Sequence, residues 1–428
     1  MTRLHIGNAT RLACIVLVSL GALLLQSCEE PAADHAEDGE AEAAKQDAAV
    51  QTPPKPKKSL GRQLVDSKSR ALELEQLQAL GYVDGTYDPA HEKANVLVHV
   101  ASRAQSGYNF YSSRKAQGAR LVDMSGRVVH EWKTTQKGAW QHSELLPNGD
   151  VLVIVKDRRL SRYDKDSKLL WSVTGRFHHD LWIHEDQLYI LSRRSKVVES
   201  VHPNAKTLVD VIQMRSLDDG ALQREISVLD VLLASPYRFL LPKLSDDANP
   251  KKGRSLDVLH TNHVEVFDGS LTDLHPMYSK GNILFSMRNI NAIAVMEPDR
   301  ETIVWIWGPT NLTFQHHPTA LSNGHILLFD NGAKRSRILE IDPADDNAIV
   351  WSYAPKSGLF SATRGSNQRL SNGNTLITES DRGYVIEVTK SGRVVWKFAN
   401  PVVNRKKERE AIWRMTRVDP ETLTFLAP

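Results

Sequence analysis

The feature that most limits how this chain can fold is a pair of hairpin types that alternate along it. One type is a strand, an Asn-Gly-like turn and an apolar strand. It appears as HSELLPNGDVLVI (142–154), HDLWIHEDQLYIL (179–191), HPTALSNGHILLF (317–329) and NQRLSNGNTLIT (367–378), with degenerate copies at 262–286 and 413–426. Asn-Gly between apolar runs predicts a tight hairpin in which both central residues accept positive φ. The second type is a polar turn followed by an apolar strand that usually closes on Trp: LVDMSGRVVHEW, RYDKDSKLLW, VMEPDRETIVWIW, EIDPADDNAIVW and EVTKSGRVVW, with a copy lacking Trp at 212–228. Six hairpins of each type alternate, and two hairpins make one four-stranded blade. The expectation is an all-β fold: a six-bladed β-propeller closed by pairing of N- and C-terminal half-blades, preceded by a short helix. The alternation argues against a parallel α/β fold, whose strands would be separated by helices. A sandwich or a β-solenoid is the competing all-β arrangement.

The N-terminus sets the expected compartment. Arg3, His5 and Arg11 flank an apolar run that ends in LQSC at Cys28, which reads as a secretory signal over 1–28 and resembles a bacterial lipobox. Cys28 is then the lipidated residue, and Glu29 in place of Asp favours an outer-membrane lipoprotein facing the periplasm. Cys14 lies inside the removed run, so a mature chain starting at Cys28 has no pair of thiols for a disulfide or a CxxC site. Residues 29–58 are mostly Ala, Glu, Asp, Pro and Lys, a composition expected to stay a disordered tether. Arg62–Leu80 reads as an amphipathic helix within a lead-in over 59–117, and 118–428 as the propeller. Near-balanced charge gives no argument for nucleic acid.

In a propeller every innermost strand starts on the same face, so residues just before the first hairpin of each blade converge on one mouth. In chain order these are Gln141-His142, His178-His179, His260 with Asn262-His263, Gln315-His316-His317, Arg364 with Asn367, and Arg414. Arg193, Arg194, Arg288 and Arg382 return to that face at the ends of second strands. A single His near a turn is ordinarily a hydrogen-bonded structural residue. Recurrence of His at one register in four of six blades points instead to a functional cluster. His and Arg around one cavity suit a tetrahedral oxyanion whose charge spreads over three oxygens in transfer. Neutral imidazole is a competent nucleophile, and a second His serves as acid and base. The same residues also describe a zinc site, which Arg neighbours and the lack of an HExxH helix make less suitable.

At DVLHTNHVEVF, GNILFSMRNINAIAVME, TFQHHPTALSNGHILLFDNG and RLSNGNTLITES the chain resembles the bacterial arylsulfate sulfotransferases, six-bladed propellers of the cell envelope. The resemblance runs from about Gly81 to Pro401. It implies transfer of a sulfuryl group from an aryl sulfate donor to a phenolic acceptor through a sulfohistidine, with no cofactor and no metal. Carried across, His316 matches the nucleophile and His260 the His at the sulfuryl oxygens or leaving group. Arg288 matches the sulfuryl-binding Arg, and His179 the His on the first-blade side. His142, His178, Asn262, His263, His317 and Asn367 are expected to line the substrate. His317 competes with His316, and His178 with His179, because each sits one residue from the register.

The chain departs from enterobacterial members in lacking their N-terminal β-sandwich and disulfide. Val231–Ser255, with Pro236, Tyr237 and Phe239, reads as an insertion between blades two and three, placed either as an acceptor-selecting lid or as ordinary packing. Three alternatives remain open at this level: a sulfatase using water, another propeller enzyme such as a quinone-dependent dehydrogenase, and a non-catalytic lipid-anchored binding platform.

Overall fold

The structure is a computed structural model that describes residues 95–242, 244, 254–356 and 358–426. The signal run, Cys28, the tether and the Arg62–Leu80 helix lie outside the described residues. Within them, alternation of apolar and polar residues produces 25 strands in six antiparallel sheets. Four blades are contiguous in sequence. Blade one holds β5 (His142–Leu145) to β8 (Leu169–Thr174), and blade two β9 (Phe177–His184) to β12 (Leu222–Ser227). Blade three runs from β13 (Thr261–Val266) to β16 (Thr302–Trp307), and blade four from β17 (His316–Ala320) to β20 (Ala348–Tyr353). Blade five holds β21 (Ser366–Arg369) to β24 (Val394–Ala399), with β1 (Val96–His99) on its outer edge.

The sixth blade closes the ring differently from the expected union of two half-blades. Its order is β25 (Ile412–Val418), β2 (Tyr108–Ser113), β3 (Gly118–Val122), β4 (Val128–Lys133), so one C-terminal strand meets three N-terminal ones. The last degenerate repeat forms no second strand because Pro420 follows Asp419. Proline has no N–H for a ladder, and the chain turns into short 3-10 helices at Pro420–Thr422 and Thr424–Leu426. The closure is fastened by a buried pair: Arg417 on β25 donates from Nη1 to Glu387 Oε2 at 3.1 Å and from Nε to Asn109 Oδ1 at 2.7 Å.

Six hydrophobic clusters hold the ring, each between two adjacent blades. Leu152, Ile154 and Leu160 of blade one, for example, meet Leu181, Leu188 and Ile190 of blade two. The recurring Trp residues fasten outer strands to a neighbouring blade. Trp132 Nε1 donates to Gly149 O at 3.0 Å, Trp351 Nε1 to Lys390 O at 2.8 Å, and Trp396 Nε1 to Met124 O at 3.0 Å. Their spacing therefore reports blade-to-blade packing rather than a ligand.

The Asn-Gly turns are three-residue loops and not the two-residue form expected. Leu146 N bonds Asp150 O and Gly149 N bonds Leu146 O, with positive φ at Gly149 (85°) but not at Asn148. The same bonds recur at Leu321–His325 and Leu370–Asn374, where Ser322 and Ser371 stand in place of Pro147, so the three-residue form does not depend on the proline. The described part of the 231–255 insertion is packing, not lid. Helix α1 (Val228–Ala234) buries Val228, Leu229, Val231 and Leu232 in the cluster between blades two and three, Tyr237 packs against that cluster, and Phe239 is exposed.

Candidate active site

The six innermost strands start on one face and carry their polar residues to the axis. In blades two, three and four the inner-strand register slips beside the His residues, between partners Ile190 and Ser192, between Thr261 and His263, and between His316 and Thr319. Consecutive residues on a regular strand face opposite ways, and a bulge removes that constraint. His179, His260 and His317 accordingly take left-handed backbone, with φ of 55°, 52° and 49°. Such φ values in residues with a Cβ are strained and cluster at functional sites. The slip is why His316 and His317 both face inward, whereas of His178-His179 only His179 does.

His316 has its tautomer fixed by its surroundings. Nδ1 lies 2.7 Å from Asn331 Oδ1 and 3.0 Å from Phe314 O. Asn331 cannot present its amide nitrogen instead, because Nδ2 donates to Ser361 O at 2.6 Å and Arg364 O at 2.7 Å. Both neighbours of Nδ1 are acceptors, so Nδ1 carries the proton and the Nε2 lone pair is available. Nε2 is buried without a hydrogen-bond partner. Burial, reinforced by the Arg288 charge, pushes the imidazole down to about 3, so it is neutral near pH 7.

Around it stand the other expected residues. The rings of His179 and His260 meet edge to face at 4.8 Å. His260 Nδ1 donates to Asp257 Oδ2 at 2.6 Å. Burial lowers the His260 pKa, against the opposing pull of the Asp257 carboxylate. Burial likewise holds His179 well below its ordinary value, with His260 and His178 adding to the effect. Arg288 stacks at 4.4 Å on the Phe314 ring and bonds Asn289, whose Nδ2 donates to Asp257 O. His178 stands behind His179, with its Nδ1 2.8 Å from His179 Nδ1 and its Nε2 3.4 Å from Asp210.

A second layer crosses the channel beneath. Asp180 accepts from His263 Nδ1 at 2.6 Å and Arg414 Nη2 at 2.9 Å, with His142 Nε2 at 3.6 Å. His263 and His317 rings lie 5.1 Å apart, and Asn367 Nδ2 donates to His317 O at 3.0 Å. Each blade contributes one member: His142, Asp180, His263, His317, Asn367 and Arg414. The cavity above, a narrow space of ≈ 40 Å³ that opens to solvent, is lined by His142, His179, Asn262, His316, His317 and Arg414, with Arg364 and Trp413. His178, His263 and Asn367 stand behind these residues, and His260 and Arg288 also lie outside this lining, although both act electrostatically on His316.

Several participants escaped the reading of the sequence. Asp180, Asp257 and Asn331 set His protonation, yet none is itself a His or Arg; Asp180 takes in blade two the place that His142, His263 and His317 take in theirs. The only trace of Asn331 is its place in FDNG, the end of the quoted hairpin. Lys156, pushed down to about 7 by burial and by Arg193, acts on both His179 and His260. Among the described residues no three of His, Cys, Asp and Glu are grouped to hold a metal ion, and no helix is long and apolar enough to cross a membrane.

Residues 142–401 match the family model described as arylsulfotransferase (ASST). The chain belongs to the arylsulfotransferase family. The matched region starts at the inner His of blade one and ends with blade five, so it contains every His of the cavity. No curated protein matches the sequence. Among solved structures, the chain is similar to a protein of unknown function from Bacteroides caccae (10% identity, TM-score 0.45, covering 73% of this chain and 98% of that one). It is also similar to an inactive virginiamycin B lyase from Staphylococcus aureus with quinupristin (12%, 0.42, 71% and 87%) and to the WD40 β-propeller domain of Doa1 (10%, 0.43, 79% and 99%). Likeness this distant says nothing of the arylsulfotransferase chemistry.

Proposed function

We propose that this arylsulfotransferase moves a sulfuryl group from an aryl sulfate ester to a phenolic acceptor through a sulfohistidine at His316, without a nucleotide cofactor. The observation that carries the reading is the fixed tautomer of His316: a neutral imidazole, protonated on Nδ1 by two acceptors, with its Nε2 buried and unpartnered. The Nε2 lone pair forms the N–S bond as the S–O bond to the aryl group breaks and the aryl oxide leaves. Arg288 stabilises the charge that grows on the sulfuryl oxygens and leaving oxygen. In the second half the phenol oxygen attacks sulfur, its proton passes to His260 Nε2, and the N–S bond electrons return to His316. Asp257 favours this transfer because its carboxylate stabilises the imidazolium that forms.

The test follows nitrophenolate release from para-nitrophenyl sulfate with and without phenol, using wild-type protein and His316→Ala. Phenol-dependent release lost in the variant, with a gain in intact mass of one sulfuryl group before phenol is added, is the expected result. Release indifferent to phenol would replace the transferase by a sulfatase, and no release with any phenol would favour a binding platform. We also assign export and lipid attachment at Cys28, which places the propeller on the envelope membrane. Fatty-acid labelling that persists in Cys28→Ser would remove that part.

A further inference from the structure

The sulfuryl-binding cation named by family resemblance, Arg288, belongs to blade three. In a ring of six, blade three faces blade six, and the inner strand of blade six carries Arg414. Arg414 lines the same cavity as His316 and His179, with its side chain 18% exposed. Its guanidinium is held in place: Nη2 donates to Asp180 Oδ1 at 2.9 Å, and the other Asp180 oxygen is already committed to His263 at 2.6 Å. A carboxylate with both oxygens bonded and its side chain 1% exposed does not swing away. Electrostatics point the same way. Asp180 supplies one negative charge to this layer, while Arg414 is cationic and His263 is raised toward imidazolium by that carboxylate, against burial. Glu265, 3.7 Å from His263 Nε2, and Glu144, 3.6 Å from His142 Nε2, offset part of that positive charge, and Arg414 helps burial keep His142 and His317 neutral.

We propose that Arg414 is a second sulfuryl-binding residue, closing on the sulfuryl oxygens from the blade opposite Arg288, and that Asp180 is its positioning residue. This deepens the transfer reading and rests on it. On this proposal a sulfuryl group at His316 Nε2 meets the Arg414 fork inside the cavity that both residues line, while Arg288, whose charge acts on His316, approaches from the blade-three side. The bonds of the reaction are unchanged: Arg414 forms none to sulfur and transfers no proton. The site also ties chemistry to closure, because the strand that supplies Arg414 is the one that completes the ring.

The experiment measures inorganic sulfate binding by calorimetry and the single-turnover burst with para-nitrophenyl sulfate on the whole protein. Arg414→Gln is expected to weaken sulfate by about tenfold or more, as loss of a charged hydrogen bond does. It should slow the burst by about 100-fold, as loss of one oxyanion donor does. Arg414→Lys should recover part of both, since it restores charge but not the fork. Asp180→Asn should reproduce the sulfate loss, and the double variant should be no worse than either single one, a coupling that a merely structural role would not give. Unchanged sulfate affinity and burst in Arg414→Gln, with His316→Ala still inactive, overturns the proposal and leaves the transferase reading standing. Sulfate bound by wild type and lost in Arg414→Gln, in protein that turns over no aryl sulfate, supports the anion site and removes the transfer reading. Additive losses in the double variant would refute the role given to Asp180.

Discussion

Replacing Asn331 by Ala tests whether the environment of His316, and not its mere presence, makes it a nucleophile. In the resting protein Asn331 Oδ1 accepts the Nδ1 proton of a neutral ring at 2.7 Å. A bond between neutral groups contributes roughly 0.5–1.5 kcal/mol, and one to a charged group roughly 1.5–3 kcal/mol. In the proposed transfer, attack by Nε2 would leave the imidazole cationic, so the same bond would strengthen as the N–S bond forms. The difference, about 1–1.5 kcal/mol, is the share specific to the transition state and corresponds to about a tenfold slower sulfo-enzyme step. Phe314 O at 3.0 Å still accepts the proton, which keeps the loss from being larger. The variant also orphans the carbonyls of Ser361 and Arg364, at about 1–3 kcal/mol for each buried group left unpaired. Stopped-flow measurement of the nitrophenolate burst separates the two effects, because the stability loss appears in thermal melting and not in the rate constant of folded protein. A burst rate within twofold of wild type, in a variant that melts early, would refute the tautomer argument.

Asp257→Asn should leave the burst nearly intact and slow the phenol-dependent step by about 10–100-fold, since it removes the carboxylate behind the His260 base; equal slowing of both steps in single-turnover work would count against this division of labour. Arg417→Met should destabilise by about 3–5 kcal/mol, because it leaves the buried Glu387 charge without its cation, with the Gln105 N–H and the Asn374 amide still donating to it; an unchanged urea midpoint would mean that the pair does not fasten the ring. Acid should destabilise the fold below the ordinary His pKa. His142 and His316 are held at about 3 in the native state against 6.5, so on unfolding they take up protons between those values. Their stabilisation is complete above about 6.5 and is lost as pH falls, at about 1.4 kcal/mol per pH unit for each proton taken up. His263, raised by Asp180, has the opposite sign and loses its share as pH rises. Melting temperatures flat from pH 7 to pH 4 would contradict the buried neutral imidazoles.

The blade count and the face of the site were legible in the residues because both follow from local periodicity. A hairpin needs a turn between two apolar runs, and the recurrence of that pattern counts the blades whatever their contacts. Each inner strand starts just before its turn, so the meeting of His residues from several blades on one face followed from the sequence; that His142 joins the layer of Asp180, His263 and His317, apart from His179, His260 and His316, did not. The family resemblance at FSMRN and FQHH added roles to individual residues. Turn length was misjudged because an Asn-Gly pair does not by itself fix how many residues the loop holds. The closing blade was misdivided because one strand's partner lies at the far end of the chain.

What tertiary structure alone decided is how each imidazole is protonated and where it points. That His316 and His317 both reach the interior depends on a register slip against β18 (Ile326–Asp330), a property of a pair of strands and of neither sequence singly. That Nε2 of His316 carries the lone pair depends on Asn331, fixed in turn by the carbonyls of Ser361 and Arg364 in the loop leading to blade five. Asp180 meets His263 across 83 residues and Arg414 across 234, distances over which chain order carries no signal. Sequence supplied the donors and the frame, and ring closure brought each one to the partner that fixes its charge.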